Sequence, residues 1–121
     1  MKPYYYIAEV VSVYDGDTCT CVVDLGFKTS LRIKVRLIGI DTPEIRTKDS
    51  EEKELGYKTR DWLRERILGK KVILHTKEKG KFGRWLGMIW DLEENKPEFE
   101  NSYNKKLINE GLAKEYWGGA R

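Results

Sequence analysis

Arginines and carboxylates that could act together on a phosphate group occur in three short segments of the sequence. These are the turn Tyr14–Thr18, the strand exit Val35–Glu44 and the turn Lys81–Arg84. They supply four carboxylates, Asp15, Asp17, Asp41 and Glu44, and two arginines, Arg36 and Arg84. Carboxylate oxygens bind hard divalent cations, and guanidinium groups bind a phosphate through two parallel hydrogen bonds. The residue types therefore indicate a metal site at which a phosphodiester could be attacked.

Each segment, taken alone, also has an ordinary structural explanation. Asp-Gly is a common turn pair, Asp-Thr-Pro commonly ends a strand, and Gly83-Arg84 could close a simple hairpin. The combination is more specific, because a barrel brings the first hairpin, the end of the third strand and the start of the fifth together. Two unit charges about 4 Å apart repel by about 4 kcal/mol at an effective dielectric of about 20. A cation would relieve such repulsion, and an all-oxygen ligand set favours calcium or another hard ion.

The hydrophobic pattern predicts five strands and two helices in a single domain, residues 1–121. The strands are Tyr4–Val13, Thr18–Asp24, Ser30–Ile40, Lys71–Lys77 and Arg84–Leu92. Asp49 with Glu52 resembles a capping box that opens a helix to about Leu68, and Ser102 caps a short helix over Tyr103–Glu110. The order of elements is that of a mainly β, α+β fold: a five-stranded OB-fold barrel with a helix between the third and fourth strands and a short C-terminal helix.

Periodicity also predicts which side chains face the core. Arg36 is expected on the outer face of the third strand near its end, because the apolar residues of that strand alternate with it. These apolar residues are Leu31, Ile33, Val35 and Leu37. The long helix is expected to bury a stripe at helical spacing: Leu55, Thr59, Trp62, Leu63 and Ile67.

Composition and charge favour a globular domain with a polyanionic partner. Twenty-three basic and twenty acidic residues give a formal net charge of +3. Basic residues concentrate in one run that holds a single acid, Glu78: Lys70, Lys71, Lys77, Lys79, Lys81 and Arg84. Such a run could steer phosphates, although a solvated hairpin explains it equally well.

Cysteine usage and hydropathy argue against several other classes. Cys19 and Cys21 lie two apart in a predicted strand, so a disulfide between them is geometrically poor, and with His75 they do not make a zinc site. No apolar run is long enough to cross a membrane, and the sequence shows no export signal. We therefore expect a monomer that is cytoplasmic, or secreted if this chain is a processed form.

The motifs resemble those of the staphylococcal nuclease (thermonuclease) family. The similarity lies in Val13–Thr18, Val35–Glu44, Lys81–Arg84 and Asn109–Ala113, and runs collinearly from Ile7 to Trp117. Its most specific part is the spacing from the arginine to Asp-Thr-Pro-Glu. The resemblance implies an OB-fold nuclease that cleaves DNA and RNA with Ca²⁺ and leaves 3′-phosphate ends.

The resemblance also implies a role for each matching residue. Asp17 and Asp41 would bind Ca²⁺ through their carboxylates, and Thr42 through its backbone carbonyl. Glu44 would position or deprotonate the attacking water. Two arginines would hold the scissile phosphate and stabilise charge in the transition state: Arg36 and Arg84.

Four further residues would bind the nucleotide: Lys81, Phe82, Tyr116 and Trp117. Three departures from the family's prototype concern this part of the site. Phe82 stands in place of a tyrosine, which removes a hydroxyl that could contact phosphate. Trp117 and Gly119 stand at the positions of two tyrosines, and the tail is shorter. Stacking on a base, at about 1–3 kcal/mol, is still expected from the aromatic residues.

Two other functions stay open from the sequence. An OB-fold module can bind nucleic acid or a protein without catalysis, as do nuclease-like domains fused to Tudor domains, which lose parts of the catalytic set. This chain keeps the full set: Asp17, Arg36, Asp41, Glu44 and Arg84. A phosphodiesterase for small nucleotides would use the same residues.

Overall fold

Five strands close into a barrel in the computed structural model, which describes residues 3–118. The described residues form seven strands in all: β1 (Tyr5–Asp15), β2 (Thr18–Asp24), β3 (Ser30–Leu37), β4 (Ile40–Asp41), β5 (Lys71–Lys79), β6 (Arg84–Asp91) and β7 (Lys114–Glu115). The barrel order is β1-β2-β3-β6-β5, and β4 pairs with β7 in a separate two-stranded sheet. Barrel neighbours are antiparallel except β3 and β6, which are parallel. The predicted OB-fold barrel is confirmed.

The described residues also form two α-helices, α1 (Ser50–Ile67) and α2 (Tyr103–Asn109). Two 3₁₀ turns cover Lys81–Gly83 and Phe99–Asn101. Helix α1 connects β4 to β5 along the chain, and so lies between the third and fourth barrel strands as predicted. Asp49 caps α1 by accepting hydrogen bonds from the backbone N–H groups of Glu51 and Glu52. Ser102 caps α2 by accepting from the N–H of Lys105. Both predicted helix starts are confirmed.

The capping box expected at α1 is incomplete. The Glu52 carboxylate accepts a hydrogen bond from the Glu44 backbone N–H at 3.1 Å instead of from Asp49. The loop before the helix folds back over the first helical turn, and this brings Glu44 within reach. Glu52 therefore ties the strand exit to α1.

The buried stripe of α1 differs from the predicted one. Its buried residues are Gly56, Thr59, Leu63 and Ile67. Leu55 is 40% exposed, because the helix approaches the preceding loop through Gly56 and not through Leu55. Trp62 is half-buried, with the guanidinium carbon of Arg66 lying 3.9 Å from its ring centroid.

The first half of β3 is not buried on its inner face, contrary to the prediction. Val35 and Leu37 are fully buried, but Ile33 is half-buried and Leu31 is 51% exposed. β6 pairs only with residues 34–37 of β3. The earlier residues of β3 have β2 as their pairing partner and extend beyond the closed part of the barrel.

One continuous core fills the barrel and includes side chains from both helices. Cys19 and Cys21 belong to this core as free thiols, with Sγ atoms 3.8 Å apart. Among residues 3–118, no helix is both long and apolar enough to cross a membrane.

Candidate active site

Arg36 and Asp17 form an ion pair where β2 begins and β3 ends. The strand register pairs Thr18 with Arg36, which brings the residue before β2 alongside the arginine. Arg36 Nη1 lies 3.4 Å from Asp17 Oδ2, and the two side chains are only 19% and 13% exposed. The same guanidinium donates to the backbone carbonyl of Leu37 and, at 3.0 Å, to that of Ile40. One carboxylate and two carbonyls therefore fix its orientation.

The carbonyl of Ile40 is within reach because the chain turns sharply at Gly39. The strand predicted to continue to Ile40 stops at Leu37, and the residues after the turn pair with β7 instead. Gly39 has a φ of 80°, and a Cβ there would lie 2.8 Å from ring atoms of Phe99 and Trp117. Both the backbone conformation and the close ring contacts require glycine.

Arg84, at the start of β6, approaches the dipeptide Asp17-Thr18, which contains the ion-pair partner of Arg36. Parallel pairing places Arg84 beside Lys34. Arg84 Nη1 donates a long hydrogen bond of 3.4 Å to Thr18 Oγ1, which in turn donates to Asp17 Oδ1 at 3.0 Å. The Arg84 Nε–H is buried and has no hydrogen-bond partner among the described residues. Both arginines thus converge on Asp17 and Thr18, and Arg84 keeps an unused donor.

The turn before β2 packs against the strand exit that follows β4. A Cβ on Gly16 would lie 3.1 Å from Thr42 Cγ2 and 2.4 Å from Thr59 Cγ2. Helix α1 holds Thr59 in place, since its hydroxyl is within 3.0 Å of the carbonyls of Leu55 and Leu112. Thr42 and α1 therefore both pack against the turn Asp15–Asp17, which we call the acidic turn. Only glycine fits at its central position.

Helix α1 also positions the backbone of Glu44. The Glu44 N–H donates to the Glu52 carboxylate, and a Cβ on Gly56 would lie 3.0 Å from the carbonyl oxygens of Pro43 and Glu44. The missing side chain at Gly56 lets the helix approach the loop this closely. The Glu44 side chain itself is exposed to solvent.

Asp15 and Asp17 place two carboxylates in one turn. The Asp17 N–H donates to Asp15 Oδ1 at 3.1 Å. Burial, which disfavours the charged form, and the adjacent Asp17 carboxylate raise the pKa of Asp15 to about 7. Above that pH the turn carries two like charges, of which Arg36 pairs with one.

The predicted metal ligands of this region are all oxygen donors, the type that a hard divalent cation prefers. The predicted ligands are the carboxylates of Asp17 and Asp41 and the carbonyl of Thr42, and Asp15 adds a carboxylate to the same turn. A cation offsets the repulsion between Asp15 and Asp17, and ligands of this type are those that calcium prefers. Within residues 3–118, no three His, Cys, Asp or Glu side chains are grouped closely enough to hold a metal. A cation at this place would therefore need the Thr42 backbone carbonyl and water as further ligands.

The turn between β5 and β6 exposes Lys81 and Phe82. Phe82 is 87% exposed and has a φ of 62°, a conformation that residues other than glycine seldom adopt. The guanidinium carbon of Arg84 lies 5.8 Å from the Phe82 ring centroid. Phe82 and Arg84 line a groove of about 540 Å³ together with Thr18. Phe82, a predicted nucleotide contact, therefore lies beside the place where Arg36 and Arg84 meet Asp17 and Thr18, which we call the arginine site.

The two aromatic residues of the tail lie at the turn after β3. The Tyr116 N–H donates to the Gly39 carbonyl at 2.9 Å. Trp117 is 58% exposed and packs against Phe99, with ring centroids 4.9 Å apart. Both residues are thus adjacent to the turn that presents a carbonyl to Arg36. Gly119, at the second predicted tail position, lies outside the described residues.

No sequence pattern singled out Thr18, although its hydroxyl connects Arg84 to Asp17. Its role depends on the register that places Thr18 opposite Arg36. The available signal was its position directly after Asp17, at the start of a strand that pairs with the arginine-bearing strand.

Fold and site together define an OB-fold domain in which two arginines and an acidic turn meet at one end of the barrel. The chain belongs to the family of staphylococcal nuclease homologues, whose sequence model matches residues 34–119. This confirms the resemblance drawn from the motifs. The matched region includes Arg36, Asp41, Glu44 and Arg84, whereas Asp17 precedes it.

Similar proteins include thermonucleases from two staphylococci. The one from Staphylococcus hyicus is 32% identical over 108 residues, 88% of this chain and 57% of the relative. The one from Staphylococcus intermedius is 32% identical over 107 residues, 87% of this chain and 56% of the relative. A protein named ParB from Escherichia coli is 30% identical over 110 residues, 89% of this chain and 56% of the relative. This chain spans little more than half the length of these relatives.

Proposed function

We propose that the protein is a calcium-dependent nuclease that hydrolyses phosphodiester bonds in DNA or RNA with little sequence preference and leaves 3′-phosphate ends. The observation that carries the proposal is the convergence of Arg36 and Arg84 on Asp17 and Thr18. Two guanidinium groups beside an acidic turn can clamp a phosphate next to oxygen ligands for a cation. Membership of the family and the similarity to thermonucleases support the same reaction class.

In this proposal the arginines bind and orient the scissile phosphate. Arg36 is held by the carbonyls of Leu37 and Ile40, so its guanidinium needs little reorganisation when the phosphate arrives. Arg84 contributes the buried Nε–H that has no partner among the described residues. Negative charge grows on the phosphate oxygens during attack, and donors that are already in place stabilise it.

Glu44 accepts a hydrogen bond from the attacking water and directs it toward phosphorus. The first turns of α1 fix the Glu44 backbone, and the Glu44 side chain is exposed. Asp17, Asp41 and the Thr42 carbonyl would hold calcium, which when bound supplies positive charge to the phosphate and makes a bound water more acidic.

The nucleotide on either side of the bond is proposed to contact four residues: Lys81, Phe82, Tyr116 and Trp117. Phe82 and Trp117 offer exposed rings on which a base can stack. Lys81 can contact a phosphate as a flexible point charge. Because Phe82 lacks a hydroxyl, it adds no hydrogen bond to phosphate.

One observation favours the alternative of a binding module without catalysis. Arg36 is paired with Asp17, one of the proposed metal ligands, so the arginine already neutralises part of the acidic turn. An OB-fold that only binds nucleic acid needs basic and aromatic groups but no metal.

Cleavage assays with plasmid DNA and with single-stranded RNA, in Ca²⁺, in Mg²⁺ and in excess EDTA, separate these possibilities. We expect cleavage with Ca²⁺ at alkaline pH, weaker cleavage with Mg²⁺ because it demands stricter octahedral geometry, and none in EDTA. The products should carry 3′-phosphates, detected as ends that a polymerase extends only after phosphatase treatment. Binding without cleavage in either metal would support the binding module, and full activity in EDTA would contradict the calcium requirement.

Arg36→Lys tests the phosphate clamp. Lysine is a point charge and cannot make two parallel hydrogen bonds from a planar group, so we expect the cleavage rate to fall by about 10²-fold or more. Arg84→Lys should behave likewise. Arg32→Lys, on the exposed outer face of β3, is the matched control and should keep the wild-type rate. Near-normal turnover by an Arg36→Lys protein that circular dichroism shows to be folded would overturn the clamp role.

A further inference from the structure

A row of polar side chains crosses the outer face of the barrel beside the candidate active site. The register pairs Arg84 with Lys34, Lys34 with Thr20, and Thr20 with Ser12, across β6, β3, β2 and β1. Residues directly opposite each other on neighbouring strands point to the same face. That face is the outer one, because the residues that follow or precede them along the strands are buried: Val13, Cys19 and Val35.

This row adjoins the arginine site. Thr18 and Arg36 lie two residues from Thr20 and Lys34 along their strands, a separation of about 7 Å. Arg84 belongs to the row and also reaches Thr18 Oγ1, so it joins the two places. The row crosses three interstrand gaps, about 14 Å in total, which is long enough for more than one nucleotide.

Two exposed aromatic rings lie beside this row of polar side chains. The same four residues line the groove of about 540 Å³ together with Tyr14 and Phe82, and with Asp15 and Thr18 of the candidate site. Tyr14 is 54% exposed and Phe82 is 87% exposed. An arginine guanidinium carbon lies 5.8 Å from each ring centroid, Arg46 at Tyr14 and Arg84 at Phe82.

We propose that this groove binds the single-stranded nucleic acid that flanks the cleaved bond, with Lys34 contacting a backbone phosphate and Tyr14 stacking on an unpaired base. The inference rests on the proposed function, since the groove continues the same site. Exposed aromatic rings together with cationic groups are the combination that binds single strands without sequence preference. The hydroxyls of Thr20 and Ser12 add donors for phosphate oxygens. Asp15 is the one acidic group among the lining residues, and it lies in the proposed metal-binding turn.

A preference for single strands follows from this geometry. A base in a duplex is stacked and paired, so it cannot lie on Tyr14 without being extruded, which is unfavourable. Lys34 could contact a phosphate of either form. Binding of single strands should therefore depend on both residues, and binding of a duplex on Lys34 alone.

Fluorescence anisotropy with labelled oligonucleotides of about 12 nucleotides, in EDTA to prevent cleavage, tests the inference. Lys34→Gln is expected to weaken single-strand binding several-fold at low salt and to reduce the slope of log Kd against log salt by about 0.7. Tyr14→Ala should weaken single-strand binding about fivefold or more, and Tyr14→Phe, which keeps the ring, should restore it. Lys58→Gln, on the exposed surface of α1, makes the same charge change and should bind as wild type.

The outcomes separate this inference from the nuclease proposal. If Lys34→Gln keeps the wild-type affinity and salt slope, or if the wild type binds duplex more tightly than single strands, the groove is not the binding surface, whatever the cleavage assay gives. If affinity falls as expected but no metal supports cleavage, the groove binds nucleic acid and the nuclease proposal fails. Wild-type protein that binds no oligonucleotide would overturn the inference outright.

Discussion

Charged residues at the candidate site are not balanced within the protein. Asp17 accepts a hydrogen bond from Thr18 and pairs with Arg36, while Asp15 shares its turn and has a pKa raised to about 7. Above this pH, Asp15 and Asp17 repel each other in a partly buried place. Sites of this kind commonly sacrifice stability for function, because the repulsion that destabilises the folded protein is what attracts a cation.

Asp17→Asn should therefore stabilise the metal-free protein, by about 0.5–2 kcal/mol at a pH above 7. The substitution removes the repulsion with Asp15 and also the ion pair with Arg36, which keeps its bonds to the carbonyls of Leu37 and Ile40. Calcium-dependent cleavage should be nearly lost. Paired urea melts with and without Ca²⁺ measure the change in unfolding free energy. Calcium should reduce the difference in unfolding free energy between the two proteins, because wild type gains RT ln(1 + [Ca²⁺]/Kd) and the variant gains less. A destabilised metal-free variant would mean that the Asp17 carboxylate serves the turn and not a metal.

His75, the single histidine of the chain, should make stability depend on pH. Burial lowers the pKa of His75 below its ordinary value of 6.5, and Lys77 adds to this, while a hydrogen bond with the backbone of Tyr4 opposes it. A group with a lowered pKa in the folded state contributes stability that is fully present above the unfolded-state pKa and is lost as the pH falls through the folded-state pKa. Wild type should accordingly lose stability relative to His75→Gln as urea melts are moved from neutral pH to about pH 5. Parallel pH profiles of the two proteins would contradict this.

Helix α1 is the element on which the candidate site is assembled. Its first turn binds the backbone of Glu44 through Glu52, Gly56 lies against the carbonyls of the same loop, and Thr59 touches the acidic turn at Gly16. The Thr59 hydroxyl also bonds to the carbonyl of Leu112, which leads into the aromatic tail. The candidate site therefore depends on the packing of α1 against three separate segments: the loop at Glu44, the acidic turn and the segment that begins at Leu112.

A double-mutant cycle between Gly16 and Thr59 tests this dependence. Gly16→Ala places a Cβ 2.4 Å from Thr59 Cγ2, so we expect it to destabilise the protein by about 1–3 kcal/mol. Thr59→Ser deletes that methyl group and keeps the hydroxyl, and in its background Gly16→Ala should cost at least about 0.5 kcal/mol less. Urea melts of the four proteins give the coupling energy. Additive effects would show that the turn moves away from α1 freely, and would contradict the close packing of Gly16 against Thr59.

Local sequence patterns predicted the helices and strands well. The features that they missed depend on the pairing of strands that are distant in the sequence. The helix starts at Asp49 and Ser102 follow from capping, which depends on a few neighbouring residues. The break of the third strand at Gly39 and the exposure of Leu31 depend on which distant strands pair, and no local pattern encodes that. The arginines and carboxylates were identifiable from motifs. The anchoring of Arg36 by two carbonyls could not be, because it requires the turn that those distant contacts shape.

Across the whole molecule, one buried polar residue joins elements that the barrel alone would not connect. The Asn104 side chain, fully buried on α2, donates to the carbonyls of Ile38 and Gly87 at 2.8 and 3.1 Å. It also accepts from the N–H of Ile89 at 3.3 Å. These bonds tie α2 to β6 and to the turn that positions Arg36. Together with the continuous core, they make the barrel, the helices and the site one structural unit.

Residues 1–121 should consequently unfold as a single cooperative domain. We expect urea melts followed by far-ultraviolet circular dichroism and by tryptophan fluorescence to coincide, since Trp90 on β6 is only 1% exposed while α1 dominates the helical signal. Asn104→Ala leaves buried backbone groups without partners and should lower the unfolding free energy by about 2–3 kcal/mol, shifting both probes together. Asn109→Ala, on the exposed side of the same helix, is the matched control and should change stability by less than about 0.5 kcal/mol. Separate transitions for the two probes would show that α2 and the barrel are not coupled, and would remove the structural basis for treating the site as part of one domain.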